Sequence, residues 1–190
     1  METDDVKQPP RRVFLDTSVV NFILDHGECV DDGIEPAPGL SERVKRDIAA
    51  LQGVFATGQR AFWELAISPH TYHEVVSTRD AGRAHALQNW FFDIWAYWRE
   101  FLHSDKDLPS FAEAEEARIS LLSSGVLGAL PEIADRILVI DAVVYRCDAF
   151  CTRDWQTILK HREHLGSLPL TIMTPKEWWD TIRPWVDRCR

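Results

Sequence analysis

Asp16, Glu74, Asp135 and Asp154 are the side chains in this sequence best placed to do chemistry together. Asp16 closes the apolar run Val13-Phe14-Leu15 and is followed by Thr17-Ser18, and Glu74 comes shortly after Ile67-Ser68-Pro69. Asp135 opens an apolar helical stretch, and Asp154 ends the segment Ala149-Phe150-Cys151-Thr152-Arg153-Asp154. Carboxylates gathered in one place repel each other unless protons or cations intervene. An oxygen-only cluster suits a hard divalent ion, Mg²⁺ or Mn²⁺. Such an ion lowers the pKa of a bound water, and the hydroxide attacks phosphorus in line; a second ion ~4 Å away stabilises the leaving oxygen. The expected chemistry is metal-assisted phosphodiester hydrolysis.

Acids spread over more than a hundred positions need a fold that gathers them. Arg12 to Leu15 reads as a first buried strand, with a helix starting in Val19 to Leu24. Residues 25–40, with Gly, Pro and acidic side chains, read as a loop. Ser41 caps a helix running to about residue 58, with Glu42 in its first turn. Phe62 to Ile67 is a second strand, and Pro69 suits the first turn of a helix carrying Tyr72, Glu74, Val75 and Val76. Residues 81–103 form a long helix dense in aromatics, among them Trp90, Phe91, Phe92, Trp95, Tyr97, Trp98 and Phe101. Ser110 and Glu113 have capping-box spacing. Pro131 begins a helix to about Arg146, Ala149 to Thr152 is a third strand, Leu170 to Met173 a fourth, and Pro175 starts a final helix with Trp178 and Trp179. Strands alternating with helices predict an α/β domain with a mainly parallel sheet. Sites in such sheets form outside the carboxyl ends of strands. Asp16 and Asp154 both follow strand ends, so both should face one crevice, with Glu74 and Asp135 reaching it from first turns of helices.

The composition narrows the classes. A chain of 190 residues with 45% hydrophobic side chains is expected to be one domain with a sizeable core. No apolar run approaches the ~20 residues of a membrane span. The polar start Met1-Glu2-Thr3-Asp4-Asp5 lacks a signal-peptide core, which points to a cytoplasmic protein. Cys29, Cys147, Cys151 and Cys189 show neither disulfide nor zinc spacing, so reduced thiols are expected. His70 with His73, and His161 with His164, share helical spacing but have no cysteines nearby to complete a zinc site. A net charge of −9 argues against a general nucleic-acid coat protein. It leaves a nuclease open, because four of those charges belong to the proposed metal site. Arg11-Arg12, Lys45-Arg46 and Lys160-His161-Arg162 are the local basic points.

Four segments in this order resemble the PIN-domain family, which includes the VapC-type toxin ribonucleases. They are Val13-Phe14-Leu15-Asp16-Thr17-Ser18, Ile67 to Glu74, Asp135 through Ala142 to Thr152-Arg153-Asp154, and Leu170-Thr171-Ile172-Met173-Thr174-Pro175. The resemblance implies a PIN-like three-layer α/β/α fold over residues 12–190, preceded by a loose tail at 1–11. It implies that Asp16, Glu74, Asp135 and Asp154 hold Mg²⁺ or Mn²⁺, with Ser18 and Thr152 as supporting hydroxyls. Arg153, beside the site, would bind a phosphate oxygen of an RNA substrate. It also implies an antitoxin protein as partner, and it agrees with a homodimer, which the surplus of large rings at 90–101 suggests independently. The length of residues 25–60 and the aromatic helix depart from the compact family pattern.

Each acid also has a plain structural reading. Asp16 and Asp154 suit helix caps or turns, Asp135 suits a helix first turn, and Glu74 suits a helix surface. Arg153 suits a solvated position. Asp148 fits a turn before a strand, and Asp141, six residues beyond Asp135, points ~120° away from it and is expected to pair with an arginine or face a helix edge. Base stacking by Trp90 or Trp95 competes with core packing or a dimer face. Two other functions remain open: a catalytically weak binding module on the same fold, and a haloacid-dehalogenase-type phosphatase. The second would need an aspartate where Ser18 stands.

Overall fold

Arg12–Leu15 (β1) is buried at every position because strands flank it on both sides and helices cover it above and below. The computed structural model describes residues 8–61, 64–68, 70–71, 89, 92–93, 96 and 108–188. Within them β1 pairs in parallel with Glu64–Ala66 (β2) and Ala149–Cys151 (β3), and β3 pairs in parallel with Thr171–Met173 (β4). The spatial order is β2-β1-β3-β4, an all-parallel four-stranded sheet.

Alternation along the strands divides the core in two. Val13, Leu15, Ala149, Cys151 and Met173 pack toward Thr17–Asp25 (α1), Gly27–Asp32 (α2), Glu42–Ala61 (α3) and Pro175–Arg188 (α7). Phe14, Ala66, Phe150 and Ile172 pack on the opposite face toward Phe111–Ser123 (α4) and Ile133–Val144 (α5). Phe14 and Phe150, directly opposite in the register, stack with centroids 5.3 Å apart at 9°. Ile158–His161 (α6) and a 3₁₀ turn at Arg162–Leu165 complete the described elements. Helices on both faces of a parallel sheet are the expected α/β architecture.

Local chemistry starts the helices where the sequence places the signals. Ser110 Oγ accepts from the Glu113 amide while Glu113 Oε2 accepts from the Ser110 amide at 2.8 Å, a complete capping box. Thr174 and Glu177 make the same reciprocal pair around Pro175, which stands at the first helical position of α7. Ser41 Oγ accepts from the Val44 amide at the start of α3.

The loop expected over residues 25–40 is only partly a loop, because Gly27–Asp32 forms α2. The local sequence disfavours this helix, and tertiary contacts supply what is missing. Val30 is buried beside α1 and α3, Gln52 Nε2 of α3 donates to the Cys29 carbonyl at 2.6 Å, and Gly33 closes the helix at φ 71°. Further along α3, Gly53 lets α7 approach closely: a Cβ there would sit 2.7 Å from the Trp179 ring. Ahead of β1, Pro10 is buried and the Arg11 amide donates to Asp148 Oδ2.

Candidate active site at the carboxyl edge of the sheet

The chain leaves β1 toward β2 on one side and returns as β3 on the other. The strand order therefore reverses between β1 and β3, and open parallel sheets bind ligands outside the carboxyl ends of their strands at such a switch point. Hydrogen bonding continues past both strands: the Asp16 amide donates to the Cys151 carbonyl at 3.0 Å, and the Thr152 amide to Met173 at 2.9 Å.

Asp16, 4% exposed, stands at this edge as the N-cap residue of α1. Its Oδ2 accepts from Thr152 Oγ1 at 2.6 Å and from Ser18 Oγ. The two hydroxyls lie 3.4 Å apart, and Ser18 Oγ in turn accepts from the Arg153 amide at 2.9 Å. Thr152 Oγ1 accepts from the Asp154 amide at 3.0 Å. Two segments 136 residues apart in sequence are thus laced together around one carboxylate oxygen.

Asp154 is joined to this lace through its amide, but its carboxylate turns to its own loop. Oδ1 accepts from the amides of Gln156 and Thr157, and Oδ2 accepts from Thr157 Oγ1. Burial pushes its carboxyl up, yet the hydrogen bonds from Thr157 and Gln156 outweigh burial and hold it below the ordinary value. Asp154 therefore serves as the turn residue leading to α6, a role its sequence setting also allows.

Arg153 is committed to the scaffold. Its Nε donates to Asp47 Oδ2 at 2.9 Å, and its guanidinium carbon lies 3.6 Å from the Phe22 ring centroid. It ties α3 and α1 to the site loop instead of standing solvated. The sequence reading missed Asp47 and Phe22; an acid on the apolar stripe that Val44, Ile48 and Leu51 form along α3 is the signal that could have found the first.

Asp135 sits in the first turn of α5, half-buried, with Oδ2 shielded from solvent. Asp141, deeper in the same helix, is fully buried and paired with Arg118, as expected for the competing acid. Arg118 Nε donates to Asp141 Oδ1 at 2.6 Å, Ser68 Oγ donates to Oδ2, and His70 Nδ1 lies 3.3 Å from Oδ2. Arg118 also donates to the Tyr145 hydroxyl at 2.9 Å. Asp148 accepts from the amides of Arg11 and Arg12 at the opposite end of the sheet.

Glu74 lies outside the described residues, as do His73, Cys189 and the aromatic side chains at 90, 91, 95, 97, 98 and 101. Phe92 is described and is 50% exposed. Among the described residues Cys29, Cys147 and Cys151 are free thiols, and no helix is long and apolar enough to cross a membrane. Carboxylate and hydroxyl oxygens are donors that fit Mg²⁺ or Mn²⁺. Among the described residues, however, no three His, Cys, Asp or Glu side chains group closely enough to hold a metal ion.

Comparison of the chain with protein-family models, with curated proteins and with solved structures gave no match.

Proposed function

We propose that this chain is a Mg²⁺- or Mn²⁺-dependent ribonuclease of PIN-like fold, acting at the β1–β3 switch point. The observation that carries this reading is the convergence of Ser18 and Thr152 hydroxyls on Asp16 Oδ2 at the switch point of the sheet. A plain helix cap does not need this lacing, since the Asp16 carboxylate caps no backbone amide of α1. The hydroxyls instead fix the direction of the carboxylate, which is what a metal ligand requires of its supporting residues.

In this reading Asp16, Glu74, Asp135 and Asp154 would hold the ion, which when bound supplies an activated water and offsets phosphate charge. Ser18 and Thr152 hold Asp16 in its rotamer. Arg153, through Asp47, keeps α3 against the site loop. An antitoxin partner, a homodimer and a cytoplasmic site of action belong to the same proposal.

The separation of the described acids, with Asp154 turned into its own loop, favours a second reading: a binding module on this fold with weak or no catalysis. A phosphatase of the haloacid-dehalogenase type fits less well, because Ser18 stands where the second aspartate is needed and is used to orient the first.

One experiment separates these. Single-stranded RNA is incubated with the protein in Mg²⁺, in Mn²⁺ and in EDTA, beside Asp16→Asn. Cleavage in metal, absent in EDTA and in the variant, supports the ribonuclease. Cleavage that survives both EDTA and Asp16→Asn overturns it, and RNA binding without cleavage selects the binding module.

A further inference from the structure

Immediately after Asp154, Trp155 presents 47% of its surface to solvent, the largest side chain so exposed among the described residues. It is not merely stranded. The guanidinium carbon of Arg43, itself exposed, lies 4.3 Å from the indole centroid. Of the neighbouring cations, Lys45 pairs with Glu42 and Arg153 with Asp47. Arg43 instead meets an aromatic face, and no carboxylate among the described residues forms an ion pair with it. In a chain of net charge −9, a cation resting on an exposed ring next in sequence to Asp154 is a specific feature.

The pair is also held in place. Arg43 and Asp47 are four residues apart on α3, hence on one helix face. Asp47 is bridged to Arg153, whose amide donates to Ser18 Oγ. Trp155 follows Arg153 by two residues in the turn that Asp154 caps. The backbone positions that carry the indole and the guanidinium are thereby tied to Asp16 through a short chain of polar contacts.

An aromatic ring beside a cation is the combination that single-stranded nucleic acids need: bases stack on the ring irrespective of sequence, and the cation meets the backbone. We propose that Trp155 and Arg43 form a subsite that docks one nucleotide of single-stranded RNA near the β1–β3 switch point. The base lies on the exposed indole surface and Arg43 faces the adjoining phosphate. This rests on the reading of the chain as a protein that acts on RNA, but not on the metal.

The test uses the full chain and fluorescein-labelled octaadenylate, with binding followed by anisotropy in EDTA, where cleavage is not expected. Trp155→Ala should weaken binding about tenfold and Trp155→Phe by less than about threefold, since a smaller ring still stacks. Arg43→Ala should weaken binding and reduce the salt dependence by about one phosphate contact. Asp16→Asn should bind like wild type while losing cleavage in metal. Wild-type protein that fails to bind the octamer, or binding unaltered in folded Trp155→Ala and in Arg43→Ala, overturns the subsite. So does a change in sedimentation with Trp155→Ala and no change in RNA affinity, which would assign the ring to a second copy of the chain. Binding through Trp155 without any cleavage leaves the subsite standing and removes the ribonuclease; cleavage indifferent to both residues does the reverse.

Discussion

Asp16 and Asp141 are both buried aspartates that accept a serine hydroxyl, and the difference between their settings separates fold from chemistry. Asp141 meets a guanidinium at 2.6 Å, and Arg118 is further held by Tyr145 and Glu115. Its charge is neutralised within the protein. Asp16 is oriented by the hydroxyls of Ser18 and Thr152. Two acids of the same type thus carry opposite implications. One staples α4 and α5 to the end of β2, and the other is held at the carboxyl edge of the sheet, between β1 and β3.

The sharpest way to break this comparison is to neutralise each acid in turn. Asp16→Asn should abolish metal-dependent cleavage with the fold intact. Asp141→Asn should leave cleavage per folded molecule unchanged, but lower unfolding free energy by on the order of 3 kcal/mol, because Arg118 is left buried without its counter-charge. Urea titration and RNA cleavage of both variants read this directly. The double variant Asp141→Leu with Arg118→Met should recover part of the loss, since removing both partners leaves no orphaned charge. An Asp141→Asn protein that is stable but inactive would reverse the two roles.

A smaller effect tests the hydroxyls. Thr152→Val keeps the shape of the side chain and removes the donor to Asp16, so cleavage should fall about tenfold to a hundredfold, the usual loss for a group supporting a metal ligand. Mn²⁺ should also raise the melting temperature less than it does in wild type. An unchanged response to Mn²⁺ would make Thr152 a strand-end residue only.

The smallest effect concerns Asp154. Repulsion among clustered acids, taken alone, implies that removing this carboxylate stabilises the metal-free protein. The turn bonds to Gln156 and Thr157 give the opposite sign, and Asp154→Ala should cost about 1 kcal/mol at neutral pH. Because its pKa in the folded protein lies below the ordinary value, its contribution is present above about pH 4 and fades as pH falls through the folded pKa. The melting temperatures of wild type and Asp154→Ala should therefore converge in acid.

Strands and capped helices were legible in the sequence because their signals are local. Val13-Phe14-Leu15 and Ala149-Phe150-Cys151 are too apolar for anything but a covered sheet, and Ser110 with Glu113, or Thr174 with Pro175 and Glu177, close hydrogen bonds within four residues. Strand ends and topology brought Asp16 and the segment after β3 to one edge of the sheet, whereas the Ser18 and Thr152 hydroxyls were expected there only from the family resemblance. The helix at Gly27–Asp32 was not legible, because a distant partner, Gln52, and a core position for Val30 hold it. The solvated reading of Arg153 failed for the same reason: it follows from the neighbours in sequence, while Asp47 and Phe22, which hold the side chain, are remote. The direction of the Asp154 carboxylate depends on a turn that pattern alone does not resolve.

The hydrogen bonds that run past β1 and β3 make the candidate site an extension of the sheet and not a loop laid upon it. The amides of Asp16, Thr152, Arg153 and Asp154 are all engaged, two of them with backbone and two with the site hydroxyls. Amide protons so held exchange with solvent only when the surrounding structure opens. Deuterium uptake at these positions should thus keep pace with the buried strands, so that the centre is lost only when the whole sheet melts.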